Sequence, residues 1–147
     1  DETLTVDAAT AAGKLVLTGG EGADSLYGGT ANDTISGSGG QDSINGNAGV
    51  DSLSGGAAND TFLIDSKAEF TGALGSDTID GGAGTDTVTL TGAMNMTAAQ
   101  LATVSNTETW SIAAGSEFVI SDAVLTNKIS PSKTLISGDS SYLDQLI

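Results

Sequence analysis

The sequence predicts an all-β chain whose short strands are coiled into a parallel solenoid. Three observations carry that prediction: a nine-residue internal repeat, one apolar residue at a fixed place in each repeat, and glycine concentrated in the positions between. Aligned on Gly19, five units follow without a gap, GGEGADSLY, GGTANDTIS, GSGGQDSIN, GNAGVDSLS and GGAANDTFL, ending at Leu63. The segment IDSKAEFT (64–71) interrupts, and GALGSDTID and GGAGTDTVT then resume in the same internal phase. The sixth position of every unit is Asp: Asp24, Asp33, Asp42, Asp51, Asp60, Asp77 and Asp86. The eighth is Leu26, Ile35, Ile44, Leu53, Phe62, Ile79 or Val88.

Each unit reads as half a coil. Three residues such as Ser25-Leu26-Tyr27 make a minimal strand, whose middle side chain points inward and whose small polar neighbours point outward. The six residues before it must reverse the chain, and glycine supplies the backbone angles for that. Two units return the chain to its starting side, so alternate units stack. Asp24, Asp42 and Asp60 fall in one column, with Asp33 and Asp51 in the other. If IDSKAEFT replaces one half-coil, Asp77 stacks over Asp60.

The unit TAAGKLVLT (Thr10 to Thr18) precedes the array with Leu15 at the acidic position, and reads as a coil with the same path and no ion. The chain therefore divides into a degenerate leading coil (1–18), the repeat array (19–89, irregular at 64–71) and a less regular β-coil continuation (90–147). In the last part TAAQLATV (97–104) has the pattern of a short helix capped by Thr97. TETWSI, SEFVIS and KTLIS read as short strands, and Ile112, Ile120 and Ile129 keep nearly the repeat spacing. Trp110 is either a partly buried strand aromatic or a sugar-binding platform, and Asp65 either an irregular ligand or an outward loop residue.

Composition narrows the function. Four Lys and no Arg stand against nineteen Asp and Glu, a net charge of −15, which makes nucleic acid and anionic membranes poor partners. The stretch from Gly19 to Thr89 holds eleven acidic residues and only Lys67 in opposition, yet its evenly threaded aliphatics argue against a disordered acidic tail. Cys and His are absent, which removes disulfides, thiolate and imidazole metal sites and the usual nucleophile and base pairs. No G-x-S-x-G, HExxH or P-loop occurs, so the chain is read as not an enzyme. DETLTVDAAT has neither the basic nor the apolar part of a signal peptide and no initiator Met, as expected of a piece of a longer protein.

Stacked carboxylates need a counter-charge. At one inter-strand spacing, about 4.8 Å, two carboxylates repel by about 0.9 kcal/mol in water and roughly 3.5 kcal/mol at an effective dielectric of 20. Summed down two columns, this rivals the whole stability of a small domain, roughly 5–15 kcal/mol. Turn carbonyls and carboxylates together form an all-oxygen environment that suits Ca²⁺ better than Mg²⁺, which dehydrates reluctantly.

GGEGADSLY and GGAGTDTVT match the nonapeptide G-G-x-G-x-D-x-U-x, and the array resembles the RTX (repeats-in-toxin) family. The resemblance implies a right-handed parallel β-roll with Ca²⁺ between turns. It further implies that Asp24, Asp33, Asp42, Asp51, Asp60, Asp77 and Asp86 are ligands. The carbonyls of Gly20, Gly22, Gly29, Ala31, Ser38, Gly40, Asn47, Gly49, Gly56, Ala58, Gly82 and Gly84 would assist them. At least three ions are expected, between Asp24 and Asp42, Asp42 and Asp60, and Asp33 and Asp51, with a fourth if Asp77 stacks over Asp60. Ala31 and Ala58 at the fourth position, and Ser38 and Asn47 at the second, depart from the pattern.

The family's habit is type I export in an unfolded state from Gram-negative bacteria, followed by folding on extracellular calcium. Thr- and Ala-rich, Asp-poor coils after the repeats look like surface-layer proteins and adhesins. The expected role is thus a calcium-dependent structural module of a secreted cell-surface protein, self-associating or packing on neighbouring domains. The alternative is the carboxy-terminal secretion module of an exoenzyme such as a metalloprotease or lipase. Ice binding would need a constant outward row, but positions three and five change from Glu21 and Ala23 to Thr30 and Asn32 to Gly39 and Gln41.

Overall fold

Position eight of each repeat decides where strands form and which way they face. A computed structural model describes residues 2–65, 77–91, 94–96, 102–112, 118–120 and 134–137, and these form fourteen strands and no helix. Strands β1 (Thr5–Asp7), β3 (Ser25–Tyr27), β5 (Ser43–Asn45), β7 (Thr61–Ile64), β9 (Thr87–Leu90), β12 (Thr109–Ile112) and β14 (Thr134–Ser137) stack in that order as one parallel sheet. Strands β2 (Val16–Gly20), β4 (Thr34–Gly39), β6 (Ser52–Ala57), β8 (Thr78–Ala83) and β11 (Val104–Ser105) stack as a second. A further parallel pair joins β10 (Met94–Met96) to β13 (Phe118–Ile120). Through β9 the chain alternates between the two large sheets, one strand per half-coil, which is the parallel β-roll the repeat predicts.

Registers place like over like. Leu26 pairs with Ile44, Ile44 with Phe62, Phe62 with Val88 and Val88 with Trp110 in the first sheet. In the second, Leu17, Ile35, Leu53, Ile79 and Val104 form the corresponding file. All seven position-eight residues are at most 2% exposed, and with Ile64, Leu90, Val104 and Trp110 they make a thin core to which β7 and β9 give two side chains each. Strands β2, β4, β6 and β8 of the second sheet are longer than the three residues expected, because pairing runs on into the glycines: Gly56 is in register with Gly82, and Ser38 with Gly56.

The interruption does not replace a half-coil, and Asp77 does not stack over Asp60. Strand β7 continues through the buried Ile64, and β8 pairs with β6, so Asp77 lies on Asp51 and Asp86 on Asp60. Stacked residues elsewhere in the array are 18 apart and here 26, so the eight extra residues lengthen a connection without adding a rung. The reason is packing and pairing together: Leu53 finds its next aliphatic neighbour in Ile79, and the Asp51 carbonyl takes the Thr78 N–H at 2.8 Å.

Past the array, Val104 starts a strand on β8 rather than ending a helix, while 97–101 of the expected helix lie outside the described residues, as does Ile129. Trp110 is 4% exposed in the core file, which rules out a sugar platform on its ring. Asp65 is an exposed residue whose Oδ2 accepts from Asn45 Nδ2 at 3.4 Å. A thin core makes each member costly to lose: Phe62→Ala is expected to lower stability by about 3–5 kcal/mol. Urea unfolding in excess Ca²⁺ reads this, and a loss below about 1 kcal/mol would contradict the packing described.

Candidate metal centre

Each repeat aspartate enters the coil immediately before a strand, and this fixes its backbone on both sides. All seven are 0–3% exposed. The N–H groups of Asp24, Asp33, Asp42, Asp51, Asp60 and Asp86 donate to the carboxylate of the residue stacked on the next coil. Asp24 donates to Asp42 Oδ1 at 2.9 Å, Asp42 to Asp60 Oδ1 at 2.9 Å, and Asp60 to Asp86 Oδ1 at 2.8 Å. In the second column Asp33 donates to Asp51 Oδ1 at 2.7 Å and Asp51 to Asp77 Oδ1 at 2.8 Å. The aspartate carbonyls are also engaged: Asp24, Asp42 and Asp60 accept from Ser43, Thr61 and Thr87, each at 2.8 Å. Leucines stand at the acidic position of the leading coil, and Leu4 and Leu15 donate to Asp24 and Asp33 Oδ1 at 2.7 and 2.8 Å.

One oxygen per carboxylate is left over. The Oδ2 atoms of Asp24, Asp42, Asp51, Asp60, Asp77 and Asp86 are buried without a hydrogen-bond partner. Four of them have an oxygen of the next coil beside them. Asp24 Oδ2 and the Gly37 carbonyl lie against Gly19, Asp42 Oδ2 and the Gly55 carbonyl against Gly37, and Asp60 Oδ2 and the Gly81 carbonyl against Gly55. Asp86 Oδ2 and the Asn106 carbonyl lie in the same way against Gly81. A buried anion next to a carbonyl oxygen, with no donor between them, is unstable unless a cation or a proton is shared there.

Besides the position-two and position-four carbonyls that the resemblance implies, carbonyls of the first glycine of the next coil lie beside the carboxylates. Position one is Gly in all seven units, and that internal constancy is the signal that marks it. Carbonyls at positions two and four lie where a Cβ on the neighbouring turn's glycine would be: Gly22 at Gly40, Ala31 at Gly49, Ser38 at Gly56 and Ala58 at Gly84. In the third, fourth, fifth and seventh units these positions take left-handed backbone, including Ser38 (φ 80), Asn47 (φ 62) and Ala58 (φ 81). Side chains at these places cost strain that glycine avoids, and a turn held in it needs outside support.

Asp33 is the exception. Its Oδ2 accepts the Gly29 N–H at 2.6 Å, the Asn47 side-chain amide donates to the Gly28 carbonyl at 2.8 Å, and the Gly29 carbonyl accepts from Ala48 at 3.2 Å. Protein N–H groups satisfy this turn where the others leave bare oxygens.

Burial pushes the Asp77 carboxyl up to about 7 and those of Asp51 and Asp60 up to about 6, from the ordinary 3.8, against the lowering effect of the backbone N–H each receives. The stacked aspartate adds to each rise. Asp42 and Asp86 are raised with burial again the leading cause, and Glu108 and Asp80 add their charges at Asp86. Among the described residues no three acidic side chains converge, so any ion must complete its shell with backbone oxygens. Paired hard oxygens, orphaned carboxylates and clefts that a Cβ would fill fit Ca²⁺, which accepts six to eight oxygen ligands in flexible geometry. Bound there, it would be held by the Oδ2 atoms and position-one carbonyls and would supply the missing positive charge.

Two expectations follow from this geometry. Without metal the raised groups favour the protonated fold, so their contribution is complete below about pH 3.8 and lost as pH rises through about 6–7. The metal-free chain should gain β-signal in circular dichroism between about pH 8 and pH 5, and calcium affinity should fall over the same interval; equal spectra at both pH values would contradict it. A Cβ at Gly37 would lie 2.7 Å from the Gly55 oxygen and against Asp42 Oδ2. Gly37→Ala should therefore remove one calcium in titration calorimetry, whereas Gly13→Ala, with open space around it, should remove none.

The family model of the RTX calcium-binding nonapeptide repeat matches residues 16–44, 27–62 and 69–92. No curated protein and no solved structure matches the chain. The matched stretches contain all seven stacked aspartates and both runs of repeats, and this region of the chain is an array of RTX calcium-binding nonapeptide repeats.

Proposed function

We propose that this chain is a calcium-dependent folding and structural module of a secreted bacterial cell-surface protein, of surface-layer or adhesin type. The observation that carries the proposal is the set of six buried Oδ2 atoms, stacked coil on coil without partners. A module built this way has its cohesion supplied by its surroundings: it is loose where calcium is scarce and rigid where extracellular calcium is plentiful. Extracellular modules bind at about 10⁻⁴–10⁻³ M, and each site adds about 2.7 kcal/mol once calcium exceeds its dissociation constant a hundredfold. Export of the unfolded chain by a type I system from a Gram-negative cell accords with that switch. In this reading the carboxylates of the array are committed, one oxygen to the preceding coil's N–H and, in all but Asp33, the other to the ion, and the module does no catalysis of its own.

The surface-protein reading draws on the region after the array. Strands β12 and β14 continue the first sheet past the last nonapeptide, with threonine and tryptophan in register where the repeats had threonine and valine. A coil that continues without nonapeptide aspartates extends a scaffold and offers neighbouring domains or copies something rigid to pack on.

Calcium removal tests the module. With excess chelator at neutral pH the parallel-sheet signal should largely disappear and return on adding Ca²⁺ at millimolar concentration, with little response to Mg²⁺. A β-spectrum unchanged by chelation would sink the proposal. Ordered sheets or fibrils of the chain seen by electron microscopy only with calcium would favour the surface role over an exoenzyme's secretion tail.

A further inference from the structure

The nonapeptides end with Asp86 and the family match ends at residue 92, but the first carboxylate column does not. The Asp86 N–H donates to Glu108 Oε2 at 2.8 Å, the bond that Asp60 makes to Asp86 one coil earlier. The Asp86 carbonyl accepts the Thr109 N–H at 3.0 Å, as the Asp60 carbonyl accepts that of Thr87. Glu108 thus stands at the aspartate position of a turn that has no nonapeptide sequence.

That turn is also shorter. Asp80 pairs with Ser105 and Thr87 with Thr109, so Asn106, Thr107 and Glu108 span what Gly81 to Asp86 span one coil below. A glutamate, one methylene longer than aspartate, reaches the Asp86 N–H from this shortened backbone. Asn106 is held in left-handed backbone (φ 49), which asparagine tolerates, and its Nδ2 donates to Asp80 Oδ1 at 2.7 Å. Its carbonyl takes the place that a position-one glycine carbonyl takes elsewhere, beside the orphaned Asp86 Oδ2. Between Asn106 and Glu108 in sequence is Thr107, 2% exposed, whose Oγ1 is buried without a hydrogen-bond partner.

We propose that Asn106, Thr107 and Glu108 form a terminal calcium site with Asp86, one that lies outside the nonapeptide pattern and closes the first column. The site rests on the calcium reading of the array and extends it. Its ligands are the Asp86 carboxylate, the Asn106 carbonyl, the Thr107 hydroxyl and the Glu108 carboxylate, and water completes the shell. Placed where it is, the ion clamps the last repeat to the coil that carries Trp110.

The single tryptophan of the chain is two residues from Glu108, within about 7 Å along the backbone, and reports on this site. Terbium(III) titrated into the full 147-residue chain should give emission sensitised through Trp110. Glu108→Gln should cut that emission several-fold and lower the calcium count in calorimetry by one, while the calcium-induced β-spectrum is kept. Full emission and an unchanged count in Glu108→Gln would overturn the terminal site and leave the array reading intact. A wild-type chain that binds no calcium would remove both. If Glu108→Gln does not fold, Thr107→Val decides, since it keeps shape and charge: terminal-site binding weakened about tenfold supports the site, and unchanged binding overturns it.

Discussion

The fold depends on what stands between the turns of neighbouring coils. One carboxylate oxygen of each stacked aspartate is spent on a backbone N–H of the adjacent coil, which fixes where the turn lies. The other, in six of the seven, faces into the protein with no donor in reach. An arrangement of this kind is costly by itself, because each desolvated anion is placed near further oxygens and near the next anion in its column. The hydrophobic core cannot offset it, having one apolar side chain per nonapeptide. A divalent cation reverses the sign of the whole arrangement, turning repulsion between coils into attraction through a shared charge.

Other features of the chain are consistent with that constraint. Position one must be glycine, since a Cβ would occupy the cleft between Oδ2 and the carbonyl of the next coil. Seryl, asparaginyl and alanyl residues at positions two and four are tolerated despite left-handed backbone, which places the strain on a turn that the ion holds from inside. At the Asp33 turn the Gly29 N–H donates to the carboxylate and the Asn47 amide to the Gly28 carbonyl, so this turn carries protein donors that the others lack.

The ends of the array follow the same logic. A column of carboxylates cannot stop at an arbitrary rung, because the last Oδ2 requires oxygens above it and the first requires a coil below. On the amino-terminal side Leu4 and Leu15 keep the hydrogen bond and omit the charge, which ends both columns neutrally. On the other side the first column passes from Asp86 to Glu108 through a shortened turn, and the second reaches Val104 and Ser105 above Ile79 and Asp80. The leading coil and the region after the repeats therefore belong to the electrostatics of the roll as much as to its packing.

Sequence alone determined the repeat, the inward apolar position, the seven stacked acids and hence a parallel coil that needs a hard cation, because all of these depend on periodicity within a few residues. The silent coil at Leu15 was legible for the same reason. Tertiary structure decided what depends on which coil lies against which. It set Asp77 on Asp51, because an eight-residue insertion can enter a connection as easily as a rung and only pairing with β6 distinguishes them. It also assigned the position-one carbonyls to the carboxylates, brought the Asn47 amide onto the Gly28 carbonyl beside Asp33, and carried Glu108 to Asp86 across a turn that shares no motif with the repeats. The hydrogen bonds among these contacts join residues 19 to 26 positions apart through backbone direction and side-chain reach, which residue identity does not encode locally.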